Sequence, residues 1–369
     1  MSTIMTDYGL WPSIPSLFPK SFAGVKVGRE DLVLDIDRDR LEQRLGHYFD
    51  PALPHDRVYH LAPKAMRSTR QFAAETVREQ LQQRGFLPKN IVRYCYRPFD
   101  MRWLYWEAEA NLLAQPRLSY VQQPFSNNLW LELRRRDKAD FDRGYVVHTL
   151  ADSFGHGVSR FFPLYLTLNH KQFSYFETDG ADLHPNLTVK AMVYAKELGV
   201  TAPNLFYHLV TVLHTPRYRQ ENATVLRQDW PHVPLPDRKE RLRQSAMLGQ
   251  KIVMLLNPEI PVTTVTKGKI RPELAAIGLI HTRSIDDEAG KSRYPDPTLT
   301  TQWPRQDTGT IDPVQLVQRD YTPAERAALE KGAAAAGLTV DQLDDYLGSH
   351  TYDVYLNETT RWANIPARV

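Results

Sequence analysis

The sequence is poor in cysteine and has no long apolar run. Cys95 is the single cysteine among 369 residues, which excludes an intramolecular disulfide and a zinc site with several cysteine ligands. No segment approaches the about 18 apolar residues of a membrane span. The first seven residues lack a basic start followed by an apolar stretch, so they predict no signal peptide. We therefore expect a cytoplasmic protein with no membrane partner, in which Cys95 is a small buried hydrophobic residue.

Common catalytic motifs are also missing. The sequence has no GxxxxGK[ST] loop for a triphosphate, no HExxH pair, no GxSxG turn and no glycine-rich loop for S-adenosylmethionine. Asn257-Pro258-Glu259-Ile260 lacks the second proline and the aromatic residue of a DNA amine methyltransferase, so we interpret it as a helix end. Pro236-Asp237 and Pro295-Asp296 lack the Asp/Glu-x-Lys partner of a metal-dependent nuclease. We predict no catalytic site, no metal and no cofactor.

The hydrophobic pattern predicts an α+β fold with three successive regions. Residues 1–28 are rich in proline and aromatic residues and look like an irregular leader. Short β-prone runs separated by turn residues recur within residues 29–200, which predicts a β-rich lobe with long loops. Residues 201–369 form a mostly helical, mixed lobe, with clear helices at Leu205–Leu213 and Arg238–Leu256.

Several elements have local sequence signals. Asp31–Asp37 alternates as a strand does, and Thr69–Arg84 has an amphipathic pattern that Gly85 ends. Ile260–Thr266 and Ala275–Thr282 look like strands, and residues 283–312 like a long loop. Two short helices that begin after Thr322 and Thr339 have capping boxes, with Gly337 closing the turn between them.

The net charge of +3 is too small to indicate a partner, but the basic residues are clustered. Residues 93–106 are rich in aromatic residues around a proline-bounded turn, with Arg97 and Arg102 beside them. In one interpretation they form a core hairpin whose arginines pair with Asp100 or Glu107. In the other, a guanidinium contacts a phosphate or a guanine edge.

Four further basic clusters also have two interpretations. Each is either a solvated run of charges or a phosphate-binding surface. They include Arg134 and Arg135 in the run 134–138, Arg217 and Arg219 in 215–219, Lys267 and Lys269 in 267–271, and the helix face 238–243. We favour a solvated face for the last cluster. The loop 153–160 is either a simple connection or a base-reading loop, in which Ser153, His156 and Ser159 would contact bases.

Five segments, in order, resemble the C-terminal specificity domain of type ISP restriction-modification enzymes. They are Gly24–Arg38, Tyr96–Trp103, Phe162–Leu166, Phe206–Arg219 and Tyr352–Asn357, and the resemblance covers roughly residues 24–369. It implies a non-catalytic target-recognition domain that reads double-stranded DNA. It also implies that an adenine N6-methyltransferase and a helicase-nuclease motor lie elsewhere, in cis or in trans. Family sequence is expected to continue beyond the position of Val369.

Our hypothesis is that basic side chains set the register on DNA phosphates and that loop side chains read the bases. For phosphate contacts we predict Arg97, Arg102, Arg117, Arg134, Arg135, Arg217, Arg219, Lys267 and Lys269. For base contacts we predict Ser153, His156 and Ser159. Two alternatives are a protein-interaction module that docks on a methyltransferase subunit and binds DNA only in that complex, and a stand-alone nuclease.

Overall fold

The computed structural model describes residues 7–123, 125–136, 144–153, 159–167, 183–260, 279–282, 315–335, 337–355 and 360–366. The chain divides into two compact units, Met1–Val262 and Thr263–Val369. Both units contain helices and sheets, so the predicted α+β class is confirmed. Within the described residues, no helix is both long and apolar enough to cross a bilayer.

The first unit holds most of the helices and strands. Its helices are α1 (Ile14–Leu17), α2 (Glu30–Val33), α3 (Arg38–Phe49), α4 (His55–Leu61), α5 (Ala74–Arg84), α6 (Leu118–Val121), α7 (Val189–Leu198), α8 (Ala202–His214), α9 (Pro216–Glu221), α10 (Ala223–Leu226) and α11 (Lys239–Leu256). Its strands are β1 (Phe22–Ala23), β2 (Leu34–Asp35), β3 (Ile91–Arg97), β4 (Asp100–Tyr105), β5 (Trp130–Leu133), β6 (Tyr145–Val147), β7 (Leu150–Ala151), β8 (Arg160–Pro163), β9 (Tyr165–Thr167) and β10 (Leu183–Pro185).

Two four-stranded sheets organise this unit. The first is antiparallel in the order β1-β8-β5-β6, and its register places Trp130 between Val147 and Pro163. The second has the order β2-β4-β3-β7, in which β7 lies parallel to β3. Because β7 and β8 follow each other in the chain, the segment from Asp152 to Ser159 passes from the second sheet to the first.

The N-terminal region is an integral part of the first unit. Ile14, Leu17 and Phe18 are buried, and β1 pairs with β8 at the edge of the first sheet. The Val25 amide donates to the Ala151 carbonyl at 2.9 Å. The apolar residues of the predicted leader therefore belong to the core, since burying them removes their surface from water.

Helices α8 and α11 pack closely within the first unit. The buried side chains of α8 include Leu205, Leu209 and Leu213, and a Cβ added at Gly249 of α11 would lie 1.9 Å from the Tyr207 carbonyl oxygen. Only glycine permits this approach. The domain boundary expected at residue 200 therefore falls inside one packed unit.

Some local predictions differ from the structure at their ends. Helix α5 ends at Gly85, which has a φ of 89°, but it begins at Ala74 rather than at Thr69. The Ala74 amide donates to Ser68 Oγ at 3.0 Å, which satisfies one free amide of the first turn. The strand predicted at Asp31–Asp37 is α2 followed by the two-residue β2. The end of α11 at Leu256 agrees with the helix-end interpretation of Asn257.

The second unit combines a sheet with a helical hairpin. Its elements are β11 (Leu279–Thr282), β12 (Gln315–Arg319), α12 (Pro323–Ala335), α13 (Val340–Leu347), β13 (Thr351–Tyr355) and β14 (Thr360–Pro366). The sheet is antiparallel in the order β11-β14-β13-β12. Both predicted capping boxes are present, at Thr322 with Glu325 and at Thr339 with Gln342. Gly337 has the positive φ of 73° that the turn requires. Apart from Ile260, the strand predicted at Ile260–Thr266 lies outside the described residues, as does most of Ala275–Thr282.

Candidate nucleic-acid interface

Asp152 anchors the start of the segment that connects the two sheets. Its carboxylate accepts from the Arg97 guanidinium at 2.8 Å and from the Tyr94 hydroxyl at 3.0 Å. Its amide donates to the Cys95 carbonyl at 2.9 Å. A Cβ at Gly24 would lie 2.5 Å from the Asp152 carbonyl carbon, so glycine is needed there for the close approach. Asp152 is therefore fixed through its side chain and its backbone.

Ser159 anchors the other end of the same segment. It is fully buried, and its hydroxyl donates to Glu132 Oε1, which is also buried on β5. Arg134 donates from Nε to the same carboxylate oxygen at 3.3 Å and to Ser159 Oγ at 3.4 Å. These charge-assisted bonds hold Ser159 against the first sheet.

The two anchors change the interpretation of the predicted base-reading serines. Ser153 is 4% exposed and Ser159 is not exposed at all. The Ser153 amide donates to the Val25 carbonyl at 3.1 Å. Since a base edge must reach the side chain that reads it, these serines hold the ends of the segment instead. His156 lies outside the described residues and stays a prediction.

Arg117 lies next to Gly24, where the backbone of Gly24 comes close to that of Asp152. It has a left-handed φ of 59°, and its Nε donates to the Gly24 carbonyl at 3.3 Å. Its guanidinium also bonds the side-chain carbonyl of Gln115. Both acceptors are neutral, so the positive charge of Arg117 is held in place but not cancelled.

Arg160 lies close to Arg117. At the start of β8 its guanidinium donates to Ser21 Oγ at 3.2 Å and to the Ser21 carbonyl at 2.8 Å. Burial lowers the pKa of Arg160, and the positive charge of Arg117 lowers it further. Within the described residues, no carboxylate forms an ion pair with either arginine. An anion that reaches this arginine pair, Arg117 with Arg160, would relieve the mutual repulsion.

Arg97 and Arg102 occupy a different environment. The side chain of Arg102 is 6% exposed and forms a two-bond pair with Asp100, whose shorter distance is 2.7 Å. Both guanidinium groups also lie over the Tyr96 ring, at 4.1 and 4.2 Å. The core pairing that the sequence left open is therefore the arrangement present for Arg102, while Arg97 pairs with Asp152. We therefore assign Arg97 and Arg102 a structural role instead of the predicted phosphate contact, because their guanidinium groups donate to carboxylates of the same chain.

Two other predicted basic clusters lie near one another. Arg135 pairs with Asp229 at 2.9 Å, and both side chains are more than half exposed. The Trp230 amide, followed by Arg135, holds the pKa of Asp229 below its ordinary value. The Tyr218 hydroxyl of α9 donates to the His232 carbonyl at 2.7 Å. The run 134–136 and helix α9 therefore adjoin the same segment, residues 229–232.

The remaining predicted residues differ in their surroundings. Arg217 is exposed on α9 and pairs with Glu221 at 2.7 Å, one helical turn away. This hydrogen bond, and then the charge of Glu221, raise the pKa of Arg217. Arg219 lies on the same helix. Lys267 and Lys269 lie outside the described residues.

Sequence reasoning missed Arg160. It treated this residue as the end of a loop, although its position directly before the apolar run Phe161–Leu164 placed a cation at a strand start. Within the part of the chain that the structure describes, no carboxylate forms an ion pair with Arg160, and only the tertiary structure reveals this.

Two histidines of α8 form hydrogen bonds within the first unit. His208 lies between Ser245 Oγ and the Pro234 carbonyl, each at 2.8 Å, and burial lowers its pKa. His214 bonds the Val210 carbonyl through Nδ1 at 2.9 Å. Among the described residues, no group of three or more His, Cys, Asp or Glu side chains could hold a metal ion.

Comparison with solved structures gives low sequence identity and partial coverage. The ATP-dependent type ISP restriction-modification enzyme LlaBIII bound to DNA matches with 14% identity and a TM-score of 0.54, over 98% of this chain and 20% of that chain. A cryo-EM structure of a DrdV–DNA complex matches with 18% identity and a TM-score of 0.48, over 80% and 27% of the respective chains. A nuclease-deletion mutant of the type ISP enzyme LlaGI, in complex with a DNA substrate mimic, matches with 18% identity and a TM-score of 0.48, over 77% and 22%.

The match to LlaBIII shows a shared fold. This chain spans between 20% and 27% of the length of the three solved chains. Among curated proteins, no sequence matches. The family described as the type ISP C-terminal specificity domain matches residues 16–369, and this chain therefore belongs to that family.

Proposed function

We propose that this chain recognises a double-stranded DNA site as the specificity domain of a type ISP restriction-modification system. It carries no catalytic role itself and directs an adenine N6-methyltransferase and a motor nuclease carried elsewhere, in cis or in trans. Family membership supports this proposal, as do the DNA complexes formed by LlaBIII, DrdV and LlaGI.

The observation that carries the proposal is the arginine pair. Among the described residues, the acceptors that orient Arg117 and Arg160 are all neutral, so a phosphate could take up their charge without displacing a carboxylate. Guanidinium groups bind phosphate oxygens well because their donors form a planar fork. Both residues adjoin the anchored ends of residues 153–159, so phosphate contacts here would place that segment against the base edges.

Three other arginines predicted from the sequence contribute to the same proposal at a lower level. Arg135, Arg217 and Arg219 would provide further phosphate contacts. Lys267 and Lys269 stay predicted phosphate contacts, and His156 stays a predicted base contact. The exposed partners of Arg135 and Arg217 partly cancel their charge. Surface ion pairs of this kind are weak, so a phosphate could compete with the carboxylate.

A salt titration tests the proposal. Fluorescence anisotropy would measure binding of the purified chain to a labelled duplex of mixed sequence, between about 50 and about 200 mM salt. We expect affinity to fall linearly with salt on a double logarithmic plot, because phosphate binding releases counterions. Binding that is absent at low salt, or independent of salt, would contradict the proposal.

An exposed apolar face favours the second candidate function, docking on a methyltransferase subunit. Helix α11 exposes Met247, Leu248, Met254 and Leu255, with exposed fractions between 45% and 63%. Their spacing of seven residues places them along one side of the helix. Co-purification with the methyltransferase that is lost in Leu248→Glu, together with DNA binding only by the complex, would favour this candidate.

A further inference from the structure

A cleft with aromatic walls opens on the first unit, away from the arginine pair. Its volume is about 560 Å³, within the range of about 300–1,000 Å³ that small-molecule sites have. It is lined by Phe125, Asn127, Asn128, Leu129, His148, Leu164, Tyr165, Pro203 and Tyr207. Three of these side chains are phenylalanine or tyrosine, which offer flat faces to a planar ligand.

The aromatic side chains stand on rigid supports. Asn128 accepts from the Tyr165 amide and donates to its carbonyl, both at 3.0 Å, which fixes the backbone of Tyr165. Phe125 stacks on Trp130 with 5.0 Å between ring centroids. Tyr207 is part of the close crossing of α8 and α11 at Gly249. Because their backbones are held, ordering these rings around a ligand costs little conformational entropy.

Polar groups accompany the rings. Asn127 is exposed and has a left-handed φ of 54°, a conformation that asparagine tolerates. Its carboxamide has a donor and an acceptor side by side, which matches the two edge groups of adenine. His148 Nε2 is buried without a hydrogen-bond partner among the described residues. Such an unmade bond is costly, so a ligand that reached this imidazole would gain from it.

The cleft is connected to the arginine pair through one strand. Arg160 begins β8, paired opposite Leu133, whereas Asn128, Leu129 and Leu164 lie beyond its other end. At about 3.3 Å per residue, the five steps from Arg160 to Tyr165 span roughly 16 Å along the chain. A DNA backbone held at the arginines could therefore place a nearby nucleotide at the cleft.

We propose that this aromatic cleft binds a nucleobase that has left the DNA stack. The inference rests on the proposed DNA binding and adds a site for a single unstacked base. Every base has a flat face, so stacking on Tyr207, Tyr165 or Phe125 tolerates different bases. Asn127 supplies the hydrogen bonds that would favour one base over another.

A fluorescent base analogue tests the inference. Two duplexes would share the same strand with one 2-aminopurine. Its complement would either pair with every nucleotide or lack the nucleotide opposite the 2-aminopurine, which leaves that base in a bulge. We expect the chain to bind the bulged duplex about tenfold more tightly. The bulged base has no base pair to break before it leaves the stack, and stacking on the protein rings offsets the stacking lost in DNA. Tyr207→Ala should abolish this preference, and Tyr207→Phe should keep it. Tyr59→Ala, at an exposed tyrosine of α4 outside the cleft, should leave it unchanged.

The outcomes separate this inference from the DNA-binding proposal. Equal binding of both duplexes by the wild-type chain would overturn the cleft proposal and leave DNA binding intact. A preference for the bulged duplex that survives in Tyr207→Ala and in Tyr165→Ala would also overturn it. That result would show that the cleft does not bind the base, as would be the case if it held a protein side chain instead. Binding of neither duplex would overturn both proposals. Circular dichroism would establish that each variant is folded, and Tyr165→Ala replaces Tyr207→Ala if that variant unfolds.

Discussion

The β3–β4 hairpin and the arginine pair are both rich in arginine, but they handle its charge in opposite ways. In the hairpin, Arg97 and Arg102 face Asp152 and Asp100 at 2.8 and 2.7 Å. In the pair, Arg117 and Arg160 face carbonyl, carboxamide and hydroxyl oxygens. The arginines of the hairpin are therefore neutralised by carboxylates of the same chain, whereas the charge of the arginine pair can be neutralised by an external anion. An arginine in the sequence is therefore not by itself evidence of a DNA contact. Its hydrogen-bond partner in the fold decides whether its guanidinium is available to a phosphate.

The largest effect is expected where the internal pairing is broken. Asp152→Ala would leave Arg97 charged and without its carboxylate partner in a site where its side chain is 11% exposed. Removing one member of a buried ion pair costs about 3–5 kcal/mol. We expect a loss of that size in the free energy of unfolding, measured by urea denaturation. A loss below about 1 kcal/mol would show that the hairpin does not depend on internal charge pairing.

An acid titration extends the comparison to the second unit. Arg319, with smaller contributions from the Thr322 bonds, lowers the pKa of Glu325 from 4.5 to about 2. The folded pKa is below the unfolded one, so the stabilisation is present above pH 4.5 and is lost as pH falls toward 2. Allowing for solvent around the pair, we expect about 1–2 kcal/mol. The stability difference between wild type and Glu325→Gln should narrow over that window, and a constant difference would contradict this assignment.

A single substitution in the arginine pair should weaken DNA binding without unfolding the chain. Arg160→Gln removes one charge but keeps a donor for the Ser21 carbonyl. We expect binding to weaken by about 1 kcal/mol, which is roughly fivefold, because one phosphate contact is lost. Anisotropy at low salt would measure this. A large fall in melting temperature would instead assign Arg160 to structure, as for Arg97.

The smallest effect is expected at an exposed, neutralised arginine. Arg241 pairs with Asp237 at 3.5 Å on the surface of α11, with both side chains more than 60% exposed. Arg241→Gln should change neither stability nor DNA affinity by more than about 0.5 kcal/mol. This variant is matched to Arg160→Gln in chemistry and charge, so a similar loss of affinity in both would remove the distinction between paired and unpaired arginines.

Sequence patterns predicted the elements better than they predicted the site. Local signals identified the α+β class, the capping boxes at Thr322 and Thr339 and the glycine turn at Gly337, because each depends on residues within one or two turns. The roles of Arg102 and Ser159 depend on partners that the sheets bring together. Arg102 had its partner two residues away, yet sequence could not decide between pairing and exposure. Ser159 meets Glu132, which lies 27 residues earlier in the chain.

The most direct measurement is the salt dependence of DNA binding by Arg117→Gln/Arg160→Gln beside the wild type and Arg241→Gln. Each phosphate contact adds about 0.9 to the slope of log affinity against log salt. We expect the double variant to lose about 2 from the slope, since both contacts are removed, and Arg241→Gln to keep the wild-type slope. A double variant that binds DNA with the wild-type slope would contradict the assignment of the arginine pair to the DNA backbone.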